Sequence, residues 1–373
     1  MEQLLEKTTA ARYRSRERDG RMAPSVHETE AVTATLNFFP VASYTAGKKA
    51  GSTASGPIED GSQSSPYRAG GNLVPVEVQL VDGRQCEATH PIEHGYGLRV
   101  HKSAVVDWYD YQHVRETLYP EYENLIRALV PQAEYVFVGG HICRNPERVK
   151  NGESFAEVVN APHKFIHCDF GNGTLNEKTG RGRYSEFFYD WLTPGMATPV
   201  QMTAIDASQG KNHGLSADEI RRYRVIVLNC WRGILPSGVD RDPLCVVDPA
   251  SCNDPSAVMR DAPVGGYNGQ KHSPGVAFTV ADAWSGQRVV HYPKMSKDEV
   301  LIFKTYDSAA GFVPTLHGSF DDPTTSADAP ARESCEARCV LLVPEHGPRS
   351  LPPPPYYQAH SRHPDIPGLE ARL

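Results

Sequence analysis

Apolar positions along this chain recur mostly at every second residue or in short unbroken runs, divided by stretches rich in Gly, Pro, Asp and Ser. Such patterning predicts strands, since alternate residues of a strand share a face. A first strand is expected over 34–40, and a second over 76–81, where Val76, Val78 and Leu80 fall on one side. Asp82 and Gly83 then supply a tight turn, a hairpin signal. Further runs at 135–138, 223–232, 289–293, 300–303 and 336–343 read as strands, with 223–232 long and central. Helical spacing is clearest within 104–130, through Tyr122, Leu125, Ile126 and Leu129, with Pro120 and Pro131 as punctuation. Ser216 and Glu219 form a capping box that opens a short helix. The stretch 43–73 reads as a long connection, 171–182 as a polar excursion, and 237–288 as a surface loop and partial lid over a site. The expected organisation is a charged arm at 1–30, one β-rich α+β domain at 31–345, and a Pro-rich tail at 346–373.

Charge and cysteine usage narrow the function classes. A net charge of −7, from 38 basic and 45 acidic residues, gives no electrostatic basis for binding nucleic acid or an anionic membrane. A small-molecule substrate is the expectation. Eight cysteines are scattered without a C-x-x-C pair, as suits reduced thiols in a cytoplasmic protein. The N-terminal segment lacks the apolar core of a signal peptide, and no run reaches the length of a membrane span.

Candidate chemistry centres on the stretch 163–169, where an apolar run ends in His167 and Asp169. Residues i and i+2 of a strand can present an imidazole nitrogen and a carboxylate oxygen to one metal ion. His317 is the candidate third ligand. Two histidines and one carboxylate on one face of a metal suit non-haem Fe(II) and its chemistry with O2. Arg332, fifteen positions after His317, would give a 2-oxoglutarate co-substrate a permanently charged, bidentate partner for its distal carboxylate, and Ser334 could add a hydroxyl. A second H-x-D at His363 and Asp365 flanks a proline in the tail and has no such context. His90, Glu93 and His94 have the letters of the H-x-x-E-H zinc-protease motif, but Pro91 and the glycines 95 and 97 point to a turn. His141 follows a strand and is expected to be hydrogen-bonded rather than a ligand. No G-x-G-x-x-G or P-loop pattern occurs at 171–182.

Several segments together give the chain a resemblance: 34–39 (ATLNFF), 119–122 (YPEY), 165–169 (FIHCD), 229–232 (NCWR), 292–308 (YPKMSKDEVLIFKTYDS) and 331–338 (ARESCEAR). Over about 31–343 the chain resembles the fungal hydroxylase/desaturase family typified by an aspergillic-acid pathway enzyme and related to the cephem 7-methoxylation component. The resemblance implies a double-stranded β-helix (jelly-roll, cupin-like) core with flanking helices and long loops. It also implies an oxygenase of secondary metabolism using Fe(II), 2-oxoglutarate and O2 to abstract hydrogen from an unactivated C–H bond. Hydroxylation, desaturation or ring closure would follow. His167, Asp169 and His317 correspond to the iron ligands, and Arg332 to the 2-oxoglutarate anchor. The segment after Asp169 is longer and more polar than the family's usual Asp-Gln-Ser continuation, and 250–288 is enlarged, so the family's substrates do not transfer. Arg144, Asn229, Trp231, Arg232 and Arg338 are the candidate substrate contacts, the arginines for a carboxylate such as an amino acid's. Two other classes remain open: a non-catalytic substrate-binding partner of a two-component enzyme, and a redox-neutral, cupin-like metal hydrolase or isomerase.

Overall fold

The computed structural model describes residues 31–38, 73–87, 89–153, 159–169, 215–220, 222–252, 259–262, 278–281, 286–309 and 312–344. The expected arm, the tail, the polar excursion at 171–182 and almost all of the connection at 43–73 lie outside them. Two units are distinguished, Met1–Ala31 and Val32–Leu373. Every element named below belongs to the second.

In chain order the elements are β1 (Val32–Phe38), β2 (Val74–Asp82), β3 (Tyr96–Val100), α1 (Tyr111–Leu129), β4 (Tyr135–Arg144), α2 (Pro146–Lys150), β5 (Val159–Asn160) and β6 (His167–Cys168). They continue with α3 (Ala217–Ile220), β7 (Tyr223–Gly233), β8 (Leu244–Val247), β9 (Met259–Ala262), β10 (Phe278–Ala281), β11 (Val289–His291), β12 (Glu299–Asp307), β13 (His317–Ser319) and β14 (Ser334–Pro344). They form an eight-stranded sheet, β1-β2-β11-β8-β13-β6-β10-β9, and a six-stranded sheet, β3-β12-β7-β14-β4-β5. Pairing is antiparallel except for β2 with β11 and β4 with β5.

Three apolar layers follow from the two-residue period of these strands. Leu244 and Val246 of β8, Val290 of β11, Trp231 of β7, and Leu301 and Phe303 of β12 meet in one cluster, so the two sheets face each other across it. Their sequence neighbours point outwards: Cys245 and Val247 pack with Leu36 and Leu80 beneath β1 and β2. Cys230, Ile302, Cys335 and Ala337 pack beneath α1 through Val114, Leu118, Tyr122 and Ile126. Because β7 is buried on both faces along most of its length, it reads in sequence as an unbroken apolar run.

Four expectations change. β2 does not form a hairpin with β3; its partners are β1 and β11, and Asp82 instead caps a short 3-10 turn at Gly83–Gln85. The helix starts at Tyr111, capped by Asp110 on the His113 amide at 3.0 Å, so 104–110 is not helical. Pro120 lies inside α1 rather than ending it. The stretch 237–288 is no mere surface loop, since the four residues of β8 are all buried within it. The capping box is present, with the Glu219 carboxylate accepting from the Ser216 amide at 2.9 Å and the Glu219 amide donating back to the Ser216 hydroxyl at 3.3 Å. All eight cysteines are free, and no helix among the described residues is long and apolar enough to cross a membrane.

Candidate metal centre and its cavity

His167 of β6 and His317 of β13 stand directly opposite each other in an antiparallel pair, 4.6 Å between ring centres. Both point inwards, on the same side as Val246, which pairs with His317 from the other flank. Asp169 follows β6 by one residue. Together the three side chains form a buried group whose ligand atoms lie within 4.8 Å of one another. The close approach of β6 and β13 depends on Gly318, where a Cβ would sit 2.5 Å from the Phe165 carbonyl oxygen.

Hydrogen bonds select which atom of each residue faces the centre. Nδ1 of His167 lies 3.0 Å from the Phe165 carbonyl, and Nδ1 of His317 lies 3.4 Å from that of Thr315. A carbonyl only accepts, so each Nδ1 carries the proton and each Nε2 keeps its lone pair for a metal. Oδ2 of Asp169 is saturated by three donors: Asn229 Nδ2 at 2.7 Å, and Arg338 Nε at 3.0 Å and Nη2 at 2.8 Å. Oδ1 faces the centre, 3.9 Å from His167 Nε2. Asn229 is itself oriented by the Thr305 hydroxyl at 3.1 Å.

Protonation follows the same geometry. Burial pushes His167 down to about 3, and the neighbouring His317 adds to the shift. Burial lowers His317 as well. Burial alone would raise Asp169, but Arg338, the two imidazoles and Asn229 hold it well below the usual carboxylate range. Two neutral imidazoles and one ionised carboxylate are what a divalent transition metal takes without displacing a proton.

A small cavity of about 20 Å³ opens onto this group. Arg332, Arg144, His163, Glu336 and Leu244 line its walls with the three ligands. Arg332 is 3% exposed; its Nη1 donates to the Asp242 carbonyl at 2.7 Å and its Nε to the Ser334 hydroxyl at 3.0 Å. The Trp231 ring lies beneath it, 5.3 Å from the guanidinium carbon. No carboxylate of a described residue forms an ion pair with it.

The candidate substrate contacts separate by strand parity. Asn229, Trp231, Arg338 and Arg144 occupy inward positions of β7, β14 and β4. Arg232 is one residue out of phase and points the other way, where it donates to the His101 carbonyl at 2.8 Å and to that of Lys297. It lies away from the cavity, which corrects its assignment as a substrate contact. Asn229 and Arg338 are inward but engaged with Asp169, and Trp231 belongs to the apolar layer under Arg332. Of the five, only Arg144 lines the cavity. Sequence reading missed Glu336 and gave His163 no role; Glu336 sits at i+2 from Ser334 and i−2 from Arg338, so strand parity was the available signal.

Two other histidine features are accounted for locally. His90 and His94 bracket a turn, with His94 Nδ1 accepting from the His90 amide at 2.9 Å. His141 points outwards to Tyr111 and Tyr119, 3.0 Å from the Tyr119 hydroxyl.

Comparison with known proteins places this geometry. Over 137 residues the chain is 32% identical to the hydroxylase/desaturase asaB of Aspergillus flavus, covering 34% of this chain and 60% of that protein. It is 30% identical over 128 residues to aspirochlorine biosynthesis protein N of Aspergillus oryzae, covering 34% of this chain and 51% of that protein. A longer match, 266 residues at 23% identity, links it to the hydroxylase/desaturase poxK of Penicillium oxalicum, with 66% of this chain and 71% of that protein covered. The chain thus spans only about half to three fifths of the first two relatives. Its fold is that of a solved structure described as the iron and alpha-ketoglutarate-dependent endoperoxidase NvfI, at a TM-score of 0.57 and 18% identity, with 84% of this chain and 97% of that one aligned. The model of a family described as an oxidoreductase/YMDC permease-like domain matches residues 43–182 and 196–342, and the chain belongs to that family.

Proposed function

We propose that this protein is an Fe(II)/2-oxoglutarate-dependent oxygenase of secondary metabolism, its chemistry carried by a double-stranded β-helix domain over 31–345. His167, Asp169 and His317 are the iron ligands in this reading, and Arg332 with Ser334 anchors 2-oxoglutarate. The observation that carries it is the pairing, in one buried cavity, of a two-histidine, one-carboxylate group with an arginine that has no described counter-carboxylate. The relatives' names and the fold shared with NvfI support the same reading. A redox-neutral hydrolase would have no use for Arg332 at that place.

Bound iron would supply the activation of O2, coupled to oxidative decarboxylation of the co-substrate, that hydrogen abstraction from a C–H bond requires. The protein's residues position and protect. His167 and His317 offer Nε2, their rings fixed by carbonyls on Nδ1. Asn229 and Arg338 hold Asp169 ionised, with one oxygen turned to the metal. Arg332 draws the distal carboxylate of 2-oxoglutarate into the cavity by a charge-assisted fork, and Trp231 and Leu244 keep that end dry. Substrate placed on the remaining side then has one C–H bond presented, and that placement selects hydroxylation, desaturation or ring closure.

Anaerobic titration of the protein with Fe(II) and then 2-oxoglutarate tests the proposal. A weak visible charge-transfer band of the chelated keto acid is expected, absent in His167→Ala and requiring far more 2-oxoglutarate in Arg332→Ala. Iron binding without the band refutes the co-substrate assignment, and no iron binding refutes the ligand set.

A further inference from the structure

Glu336 is unexplained by the chemistry above. It stands at an inward position of β14, is 8% exposed, and lines the cavity. No described residue donates a hydrogen bond to its carboxylate. Its nearest ion-pair contact, Arg338 Nη2, is 3.7 Å away and already gives its hydrogen bond to Asp169 at 2.8 Å. Its carboxylate looks into the cavity with no protein donor on it among the described residues, which leaves its acceptor positions open to a donor that arrives with a ligand.

Arg144 presents the opposite case on the neighbouring strand. It is also 8% exposed, and its single hydrogen bond runs from Nη1 to the Ala161 carbonyl at 3.1 Å. Most of its guanidinium donors therefore face the cavity unused. β4 and β14 pair so that Arg144 lies opposite Ser334 and Glu336 opposite Ile142. Glu336 and Arg144 are thus diagonal neighbours on one face, about 7–8 Å apart at the backbone. That spacing lets their side chains grip the two ends of one small polar group. Arg332 is committed to the co-substrate in the reading above, which leaves Arg144 for the substrate.

We infer that Glu336 and Arg144 form a receptor for a zwitterionic substrate head, with an ammonium on Glu336 and a carboxylate on Arg144, so that the substrate carries a free α-amino-acid group. The inference rests on the proposed oxygenase reading and adds to it the substrate class and the residue that selects the amine. Arg338 is not part of this receptor, since its Nε and Nη2 both donate to Asp169.

The test uses the anaerobic complex of the full chain with Fe(II) and 2-oxoglutarate, titrated calorimetrically with L-valine and L-phenylalanine, their N-acetyl and amide derivatives, and the deaminated acids. The free amino acids should bind at least tenfold more tightly than the N-acetyl and deaminated forms. Glu336→Gln should abolish that preference, and Arg144→Gln should abolish the preference for the acid over the amide. Glu336→Ala, with the melting temperature of each variant, separates receptor from scaffold: a scaffold residue would shift the melting temperature and leave the preference intact, which overturns the inference. So does a wild-type complex that shows the charge-transfer band yet binds none of the panel. Absence of the band refutes the oxygenase reading itself, and the receptor falls with it.

Discussion

Replacing Asn229 by Leu keeps the number and branching of the side-chain heavy atoms at a fully buried site while removing its amide. The lost contact is the 2.7 Å hydrogen bond to Asp169 Oδ2. A hydrogen bond to a charged acceptor contributes about 1.5–3 kcal/mol. Removing a residue that orients a metal ligand typically costs about 10–100-fold in metal affinity, which is about 1.4–2.7 kcal/mol. The two ranges agree. Arg338 still holds the same oxygen through two N–H groups, so the loss should fall near the lower end, about tenfold.

Anaerobic calorimetric titration with Fe(II), or with Mn(II) as a stable substitute, measures this directly. Thr305→Val provides the control that makes the result specific. The Thr305 hydroxyl reaches the centre through its 3.1 Å hydrogen bond to Asn229 Oδ1, and the valine keeps the backbone carbonyl that accepts from Cys168 Sγ, so its removal should weaken metal binding less than Asn229→Leu does. The double variant should then match Asn229→Leu alone, because Thr305 has nothing left to orient. A metal Kd within twofold of wild type in Asn229→Leu would refute the claim that Asn229 sets the Asp169 carboxylate. Additive losses in the double variant would refute the order of the chain Thr305, Asn229, Asp169.

Arg332→Met should raise the Kd for 2-oxoglutarate at least a hundredfold while leaving the metal Kd near wild type, as read by the two-step anaerobic titration; parallel loss of both would place Arg332 in the metal site instead. Gly318→Ala puts a Cβ within 2.5 Å of the Phe165 carbonyl oxygen and 2.9 Å of Ile166 Cδ1, so it should both lower the melting temperature and weaken metal binding by forcing β13 away from β6. His141 is held down at about 4 by burial, so the fold favours its neutral form. Its contribution is whole above the ordinary value near 6.5 and is lost as pH falls through 4, about 3 kcal/mol over the full range. Urea unfolding at pH 7.5 and pH 5 should show a smaller pH dependence in His141→Gln than in wild type, and equal dependence would refute the assignment.

Strands with long apolar runs were legible because burial on both faces leaves no other reading for them; β7 and β14 extend the expected runs only by a residue or two at their ends. The same double burial hid the site's wiring. In 229–232 the inward pair, Asn229 and Trp231, and the outward Arg232 look alike in sequence, since neither face of β7 is solvated and no polar alternation marks it. Only register against β14 and β12 shows that Asn229 meets Arg338 and Asp169 while Arg232 meets the 101 and 297 carbonyls. β8 was missed for a different reason. Four residues, 244–247, are too short to stand out from a Pro- and Gly-rich setting, and their strand character comes from the partners β11 and β13. The three residues of the candidate centre stood out because a histidine and a carboxylate closing an apolar run carry their own chemical reason.

That distribution has a physical basis in how the centre is held. β6 and β13 have only two and three residues, too few to form a stable sheet by their own pairing. What fixes His167 and His317 is the long framework around them: Val246 of β8 packs beside them between the sheets, while Thr305 of β12, Asn229 of β7 and Arg338 of β14 converge on Asp169 from the opposite sheet. The proposed metal ligands thus sit on the eight-stranded side, and the residues that hold Asp169 sit on the six-stranded side. A divalent ion bound there would complete a link between the two sheets that Asp169 already begins through Arg338. The cavity opens beside that link and is lined by Arg332, Glu336 and Arg144 together, with Arg144 directly opposite the Ser334 that holds Arg332, so the residues proposed for co-substrate and for substrate share one space beside the candidate metal centre.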